Sequence, residues 1–401
     1  MTFLRYGFII MPYRDFGQIP ARVWYYKILY GRRDLKMGVN SQNLAKQKYR
    51  SAKSAYLRKG VIIAIISGIL YGMYSACLTK GMAVGIWAEW YGYVPTTIVL
   101  SAFVGTYVLG AVGCAVNDTC GAISMLVISA IRGCFGDVFR CFKTKPGLMM
   151  FLAALAGGPI ANTAYVIALT MAGPIAAAIS ALCAPCGAII GRVFLKQELN
   201  FRMVCGIIIC FAAGCVLSGT TFDAVNMTAF IGMMIAFIAA LGWGFEGAIG
   251  GYGVCMMDSQ IGITIREITS GLSNIIVMIP VLSLIGLAFG GGGVGEGYSL
   301  LIDAFTNGTS LIWIFFAGTF CGLSFMMWYK GNSMCGAALG MTCNAMYSFW
   351  TPLCCWILMG LIGGEEGWGL SAIQWTMAIV IVFGIWLIAM NPLDLFKKQE
   401  D

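Results

Sequence analysis

From residue 59 onward the chain is a series of apolar runs of membrane-spanning length, separated by short polar connections. A helix needs about 20 apolar residues to cross the hydrocarbon core of a bilayer. Ten runs meet that need, at 59–82, 94–134, 147–171, 174–195, 202–219, 228–254, 260–288, 309–329, 336–362 and 371–391. The pattern predicts an all-α integral membrane protein with ten transmembrane helices. The second run is about twice the required length. Dividing it into two spans would carry the basic 132–145 connection to the outer side, so it reads as one span. Either a long tilted or kinked helix entered at Pro95 or a partial re-entrant piece accounts for the excess.

Two runs match each other without a gap. Gly60-to-Gly81 and Gly232-to-Gly253 align at a constant offset, with Gly60/Gly232, Ile63/Ile235, Ala64/Ala236, Ile66/Ile238, Gly72/Gly244, Ala76/Ala248 and Gly81/Gly253 identical. Aromatic Tyr71 faces aromatic Trp243 in this alignment. A duplicated half built of spanning helices is the plan of many secondary transporters, with the substrate site where the halves meet. The expected organisation is a leader over 1–58, five-helix repeats over 59–219 and 228–391, and a tail over 392–401.

Charge then gives direction. Lys and Arg concentrate in loops that stay cytoplasmic, and 13 of the 25 basic residues lie at or before Lys59. Arg132, Arg140, Lys143 and Lys145 follow the second run, Arg192, Lys196 and Arg202 border the fourth, and Lys397 and Lys398 follow the last. The alternate connections carry Asp223, Glu296, Asp303, Glu365 and Glu366. Both termini are therefore expected in the cytoplasm, in a plasma (inner) membrane. With five spans per half, the second half starts on the opposite side from the first, so the repeats are expected to be inverted. No cleavable signal peptide is expected, because 58 mixed residues precede the first run.

Composition narrows the chemistry. The chain is 59% hydrophobic and 10% charged with a mean hydropathy of +0.84, too apolar for a wetted globular surface. Nearly all of the 16 cysteines sit inside apolar runs, where they act as small packing residues. Cys183-Ala-Pro-Cys186 has redox spacing but lies among alanines, outside any βαβ context. With no histidine in the chain, neither a metal site nor a cofactor is expected. An integral-membrane enzyme is not expected either, for want of a concentrated catalytic set.

The stretch Gly157-to-Leu217 resembles the drug/metabolite transporter superfamily, in its EamA-like branch of ten-helix permeases. Tyr165, Pro185, Leu195, Glu198, Gly206 and Gly214 occupy the places of that family's pattern, and Gly72 and Lys80 match the opening of its first span. In the second half Tyr329, Pro352, Glu366 and Gly384 match more loosely. A fainter likeness, to the rhamnose–proton symporters of the same superfamily, rests on Phe325-to-Tyr329 and the Gly-Pro-Ile-Ala-Asn run of the third span. The resemblance covers roughly residues 59–391 and implies transport of a small metabolite through a cavity lined by both halves. The overlong second run and the basic leader depart from the family pattern.

Ionisable residues inside a span cost several kcal/mol unless paired or wetted, so each requires a partner or a function. Asp118 in the second run and Glu246 in the middle of the sixth are candidates for substrate binding or proton coupling. Asp118 must either meet a basic residue from another helix or carry a proton. Arg266 and Glu267, early in the seventh run, point about 100° apart on a helix and are not expected to neutralise each other simply. Arg266 is a candidate ligand for a substrate carboxylate or phosphate, a partner of Glu246 or Asp118, or a side chain snorkelling to the headgroups. Asn162, Thr163, Tyr165, Trp328, Asn344, Tyr347 and Trp350 complete a candidate pocket. Asn344, Tyr347 and Trp350 share a helical face, which a helix–helix interface would also produce, and Trp328 also suits an interfacial aromatic belt. Lys80, ending the first run, is a candidate mouth residue.

Residues 1–59 carry a net charge of +11 against −3 for the rest. With Trp24, Tyr25, Tyr26 and Tyr30, this leader suits anionic lipid headgroups better than nucleic acid. The expected function is secondary transport of a small polar metabolite by alternating access, with protons as candidate coupling ions. The alternative is a non-transporting membrane scaffold or sensor acting through its basic leader.

Overall fold

The structure is a computed structural model that describes residues 39–195, 201–220, 227–254, 256–335, 337–366, 368–369 and 371–389. The first 38 residues of the leader, the tail and Glu198 lie outside them. The described residues from Ala55 onward form one compact unit. The described residues are mainly helical, with no strand among them.

Seven helices are long and apolar enough to cross a membrane: Arg58–Gly81, Val104–Ile131, Lys145–Ala172, Met227–Gly250, Ser259–Phe289, Gly308–Met334 and Cys343–Ile362. Three shorter apolar helices are Ile175–Ile190, Phe201–Gly214 and Ala372–Leu387. We label the elements that position the site α1 (Val39–Gly81), α2 (Val104–Ile131), α3 (Lys145–Ala172), α4 (Cys183–Leu195), α5 (Met227–Val254), α6 (Ser259–Phe289), α7 (Gly308–Cys335) and α8 (Tyr347–Cys355). Their outward faces carry Ile62, Val127, Leu152, Ile238, Ile276 and Ile312, all exposed, while serine, asparagine and the carboxylates turn inward. That inside-out polarity suits a lipid solvent.

The long second run is helical only in its later part. Residues 91–101 are non-helical, and α2 starts only at its π-helical first turn, Val104–Val108. Pro95 favours an extended predecessor and cannot donate within a helix, which suits the break at the start of this stretch. Two other runs are interrupted. Ile175–Ser180 is separated from α4 at Ala181 and Leu182, because Pro185 cannot donate to the Ala181 carbonyl. That carbonyl takes the Ala184 N–H instead, closing a tighter turn at 3.3 Å. The ninth run breaks at Met346, between Ala337–Ala345 and α8.

Small residues set the approach of the helices. Gly72 of α1 lies against the Trp350 backbone of α8, and Gly244 of α5 against Gly187 and Cys183 of α4. Gly318 of α7 packs on Asn117 and Gly121 of α2. Such contacts bring backbones close where no hydrophobic drive joins helices in lipid.

The contacts also give directions. Gly81 meets Ile314 and Gly331 meets Ala64, so α1 and α7 are antiparallel. Gly232 meets Met171 and Gly242 meets Ala156, so α5 and α3 are antiparallel. Ser124 bonds Thr319 while Gly322 packs on Met125, so α2 and α7 run together. Ser129 bonds Thr264 and Asn274 reaches Cys114, so α2 opposes α6. Gly158 meets Ser270 and Thr163 bonds Asn274, so α3 and α6 run together. Following these pairs through the bundle, α1 and α5 run in opposite directions.

A Cβ at Gly72 or Gly244 would lie 2.8–2.9 Å from the facing backbone. Gly72→Ala and Gly244→Ala are each expected to destabilise by about 1–3 kcal/mol. Gly105→Ala, where a Cβ meets nothing within 4 Å, should be near neutral. Thermal unfolding of the three purified variants checks this.

Candidate functional site

The site begins at a defect in α3. Pro159 lies inside the helix, and the chain widens into a π-helical turn over Ala156–Asn162. A proline removes one helical hydrogen bond and crowds the preceding turn, and π-bulges of this kind free backbone groups for other partners. The Gly157 carbonyl accepts from Trp243 Nε1 at 3.0 Å and from Arg266 Nη2 at 3.3 Å. Gly157 is required as glycine, because a Cβ there would overlap the Glu246 carboxylate.

Arg266 is the centre of the arrangement and is 0% exposed. Nε donates to Glu246 Oε1 at 3.3 Å and Nη1 to Glu267 Oε1 at 3.1 Å. Its guanidinium lies 4.2 Å from the centroid of the Phe325 ring, a cation–π contact. Tyr329 donates its hydroxyl to Glu246 Oε1 at 2.9 Å. The sequence expectation for Arg266 and Glu267 is corrected here, since the adjacent residues do pair. The arginine stem is long enough to bring its fork back across the helical angle. Nor does Arg266 snorkel, because three inward acceptors hold it.

Among the described residues Asp118 meets no basic side chain within ion-pair distance and is held by neutral donors instead. Asn117 Nδ2 donates to it at 2.9 Å, Asn162 Nδ2 at 2.6 Å and Asn274 Nδ2 at 3.4 Å, and the Ser270 hydroxyl and Cys114 thiol also donate. A buried carboxyl group needs such donors where water cannot reach. Thr163 completes the shell by donating to Asn274 Oδ1 at 2.7 Å. Arg266, Ser270 and Asn274 recur at i, i+4 and i+8 on α6, which places the two acidic centres along one stripe.

A cluster of rings lies beside the charges. Tyr71 is surrounded by Tyr347, Tyr74, Tyr165, Trp243 and Phe325, with centroids 4.3–6.1 Å away. Tyr165 shares a 2.7 Å hydrogen bond with Ser75, and Tyr347 one of 3.1 Å with Ser180. Tyr74 donates to Asn162 Oδ1 at 3.4 Å, linking the rings to the Asp118 shell. Among the described residues, Glu246 Oε2, Glu267 Oε2, the Tyr71 hydroxyl and Trp328 Nε1 are buried without a hydrogen-bond partner.

The sequence-predicted residues thus divide. Glu246, Arg266 and Glu267 share one ion-pair cluster, Asp118, Asn162 and Thr163 belong to the hydrogen-bonded shell beside it, and Tyr165 and Tyr347 line the adjoining rings. Trp328 is buried, packing on Phe325 and Tyr329, and belongs to no interfacial belt. Asn344 and Trp350 face α1 instead, where Asn344 donates to Ser67 and Trp350 covers Gly72. Lys80 lies apart in a 2.6 Å ion pair with Glu365. Ser270, Asn274, Gly157, Tyr71 and Tyr74 were missed as site residues. The i, i+4 polar stripe after Arg266 was the readable signal for Ser270 and Asn274, whereas only the fold reveals Gly157.

No family model matches the chain, and no curated protein matches it. A solved structure described only as "Crystal structure of protein" is similar over 86% of this chain and 99% of its own, at 15% identity and a TM-score of 0.47. A score below 0.5 at that identity supports neither a fold assignment nor a function.

Removing Arg266 alone leaves buried carboxylates uncompensated, so Arg266→Leu should destabilise by about 3–5 kcal/mol. Adding Glu246→Gln and Glu267→Gln to that variant should recover much of the loss. Unfolding midpoints of the single and triple variants test the pairing.

Proposed function

We propose that this protein is a secondary transporter that moves a small polar metabolite by alternating access. One observation carries the reading: four ionisable residues, Asp118, Glu246, Arg266 and Glu267, all 0% exposed, are gathered from α2, α5 and α6 at the centre of an apolar bundle. Ionisable groups at such depth are costly, and in membrane proteins they mark substrate and ion pathways. One guanidinium is set among three carboxyl groups, so full ionisation would leave two negative charges unmatched in dry protein. Protons or a cationic group of the substrate supply the balance. Glu246 and Asp118 are the proposed coupling residues, with Arg266 and Glu267 exchanging partners between states.

In this reading the three shorter apolar helices also cross, which gives ten spans in two inverted five-helix repeats. The opposed directions of α1 and α5 support inversion, as does the meeting of the aligned residues Tyr71 and Trp243 at 5.8 Å. The aligned glycines support duplication: Gly72 packs on the ninth run and Gly244 on the fourth, so each repeat's first helix packs on the other's fourth. The EamA-like resemblance points the same way, and the basic loops support a reading with both termini on the cytoplasmic side of a plasma (inner) membrane.

A thermal-shift panel of amino acids, sugars and nucleotides, followed by uptake into proteoliposomes at several pH values, tests the proposal. Wild-type uptake should depend on pH. Glu246→Gln should slow it by about tenfold or more and flatten the pH profile. A variant that kept the wild-type profile would strip Glu246 of its role, and a protein that moves none of the panel would sink the transport reading.

A further inference from the structure

A cleft of about 310 Å3 opens away from the buried site, between the middle of α1, the start of α6 and the end of α7. Its walls include Tyr56, Lys59, Asp258, Ser259, Lys330 and Ser333. Lys59 stands at the start of the apolar stretch Arg58–Gly81, Ser259 at the start of Ser259–Phe289, and Lys330 near the end of Gly308–Met334. Gly331 packs on Ala64, which joins two of these ends. Three crossing ends at one level place the cleft at the boundary of the hydrocarbon core, where phospholipid phosphates lie.

The charges of the cleft are unbalanced. Lys59 and Lys330 come from different helices, and among the described residues neither forms an ion pair. Asp258 offsets only part of this charge: its Oδ1 accepts the Gln260 N–H at 2.8 Å and lies 3.9 Å from Arg132, so the cleft stays net positive. Ser333 turns its hydroxyl onto the Lys330 carbonyl at 2.9 Å. The Tyr56 and Ser259 side chains complete the lining with hydroxyl groups. Two exposed ammonium groups from different helices thus border one hydroxyl-bearing hollow, a setting that favours an anion.

We propose that this cleft binds a phosphate group bridging Lys59 and Lys330, carried by the headgroup of an anionic phospholipid. A ligand there ties α1 to α6 and α7, and so favours the arrangement of helices seen here. The assignment does not depend on transport activity.

Full-length protein in nanodiscs that mix phosphatidylcholine with phosphatidylglycerol provides the test, read by native mass spectrometry of the released protein. Wild type should retain phosphatidylglycerol preferentially. Lys59→Gln/Lys330→Gln should lower that retention by more than tenfold, at about fivefold per lysine, whereas Lys143→Gln/Lys145→Gln, outside the cleft, should not. Lys59→Arg/Lys330→Arg should keep the lipid, which shows that charge rather than folding is at issue. A second arm measures the unfolding midpoint of detergent-solubilised protein with glycerol phosphate or inorganic phosphate. A rise confined to this arm, and lost in the double glutamine variant, assigns the same site to a soluble phosphate compound. Equal lipid retention by all variants, or equal loss in the cleft and control pairs, with no phosphate response, overturns the proposal.

Discussion

The fold is organised around the difficulty of keeping Arg266 out of water. A guanidinium has five N–H donors and a charge that an apolar slab cannot solvate. Here it is met by two carboxylates, an aromatic face and a backbone carbonyl, drawn from α3, α5, α6 and α7. Each partner imposes a further requirement. The free carbonyl needs the widened turn at Pro159, the Glu246 carboxylate needs a glycine at 157, and Glu246 in turn takes the Tyr329 hydroxyl. The charge therefore dictates small residues and irregular backbone on helices remote from it in sequence.

The glycines follow the same logic at longer range. In lipid, helices gain little from burying apolar surface against one another, so close backbone contact and interhelical hydrogen bonds must hold the bundle together. Gly72, Gly244 and Gly318 supply the first. The Asp118 shell supplies the second, joining α2 to α3 and α6 through amide and hydroxyl donors whose own remaining atoms are largely paired.

Much of this was legible in the residues, and the parts that were not share a cause. Apolar run length located the helices, since lipid imposes a length that soluble cores do not. It did not show where the second run turns helical, because hydropathy does not register the backbone break that Pro95 favours. The carboxylates and Arg266 stood out because charge in an apolar run is conspicuous. Their partnerships were hidden, because the reach of an arginine fork and the opening of a π-helical turn depend on three-dimensional placement. The ring cluster around Tyr71 was equally hidden, as aromatic residues at helical spacing look alike whether they face lipid, a neighbour or a site. Asn344 and Trp350 illustrate that ambiguity, because their shared face turns to Gly68 and Gly72 of α1.

The Gly157 carbonyl is gripped by two donors on different helices, Trp243 on α5 and Arg266 on α6. A single oxygen thus registers the position of three rods at once. Sliding either neighbour along α3 strips one donor from it, and in a dry interior the freed N–H must find a new acceptor or forfeit its bond. Displacement of either neighbour therefore carries a cost in unpaired donors, imposed by one irregular turn of backbone.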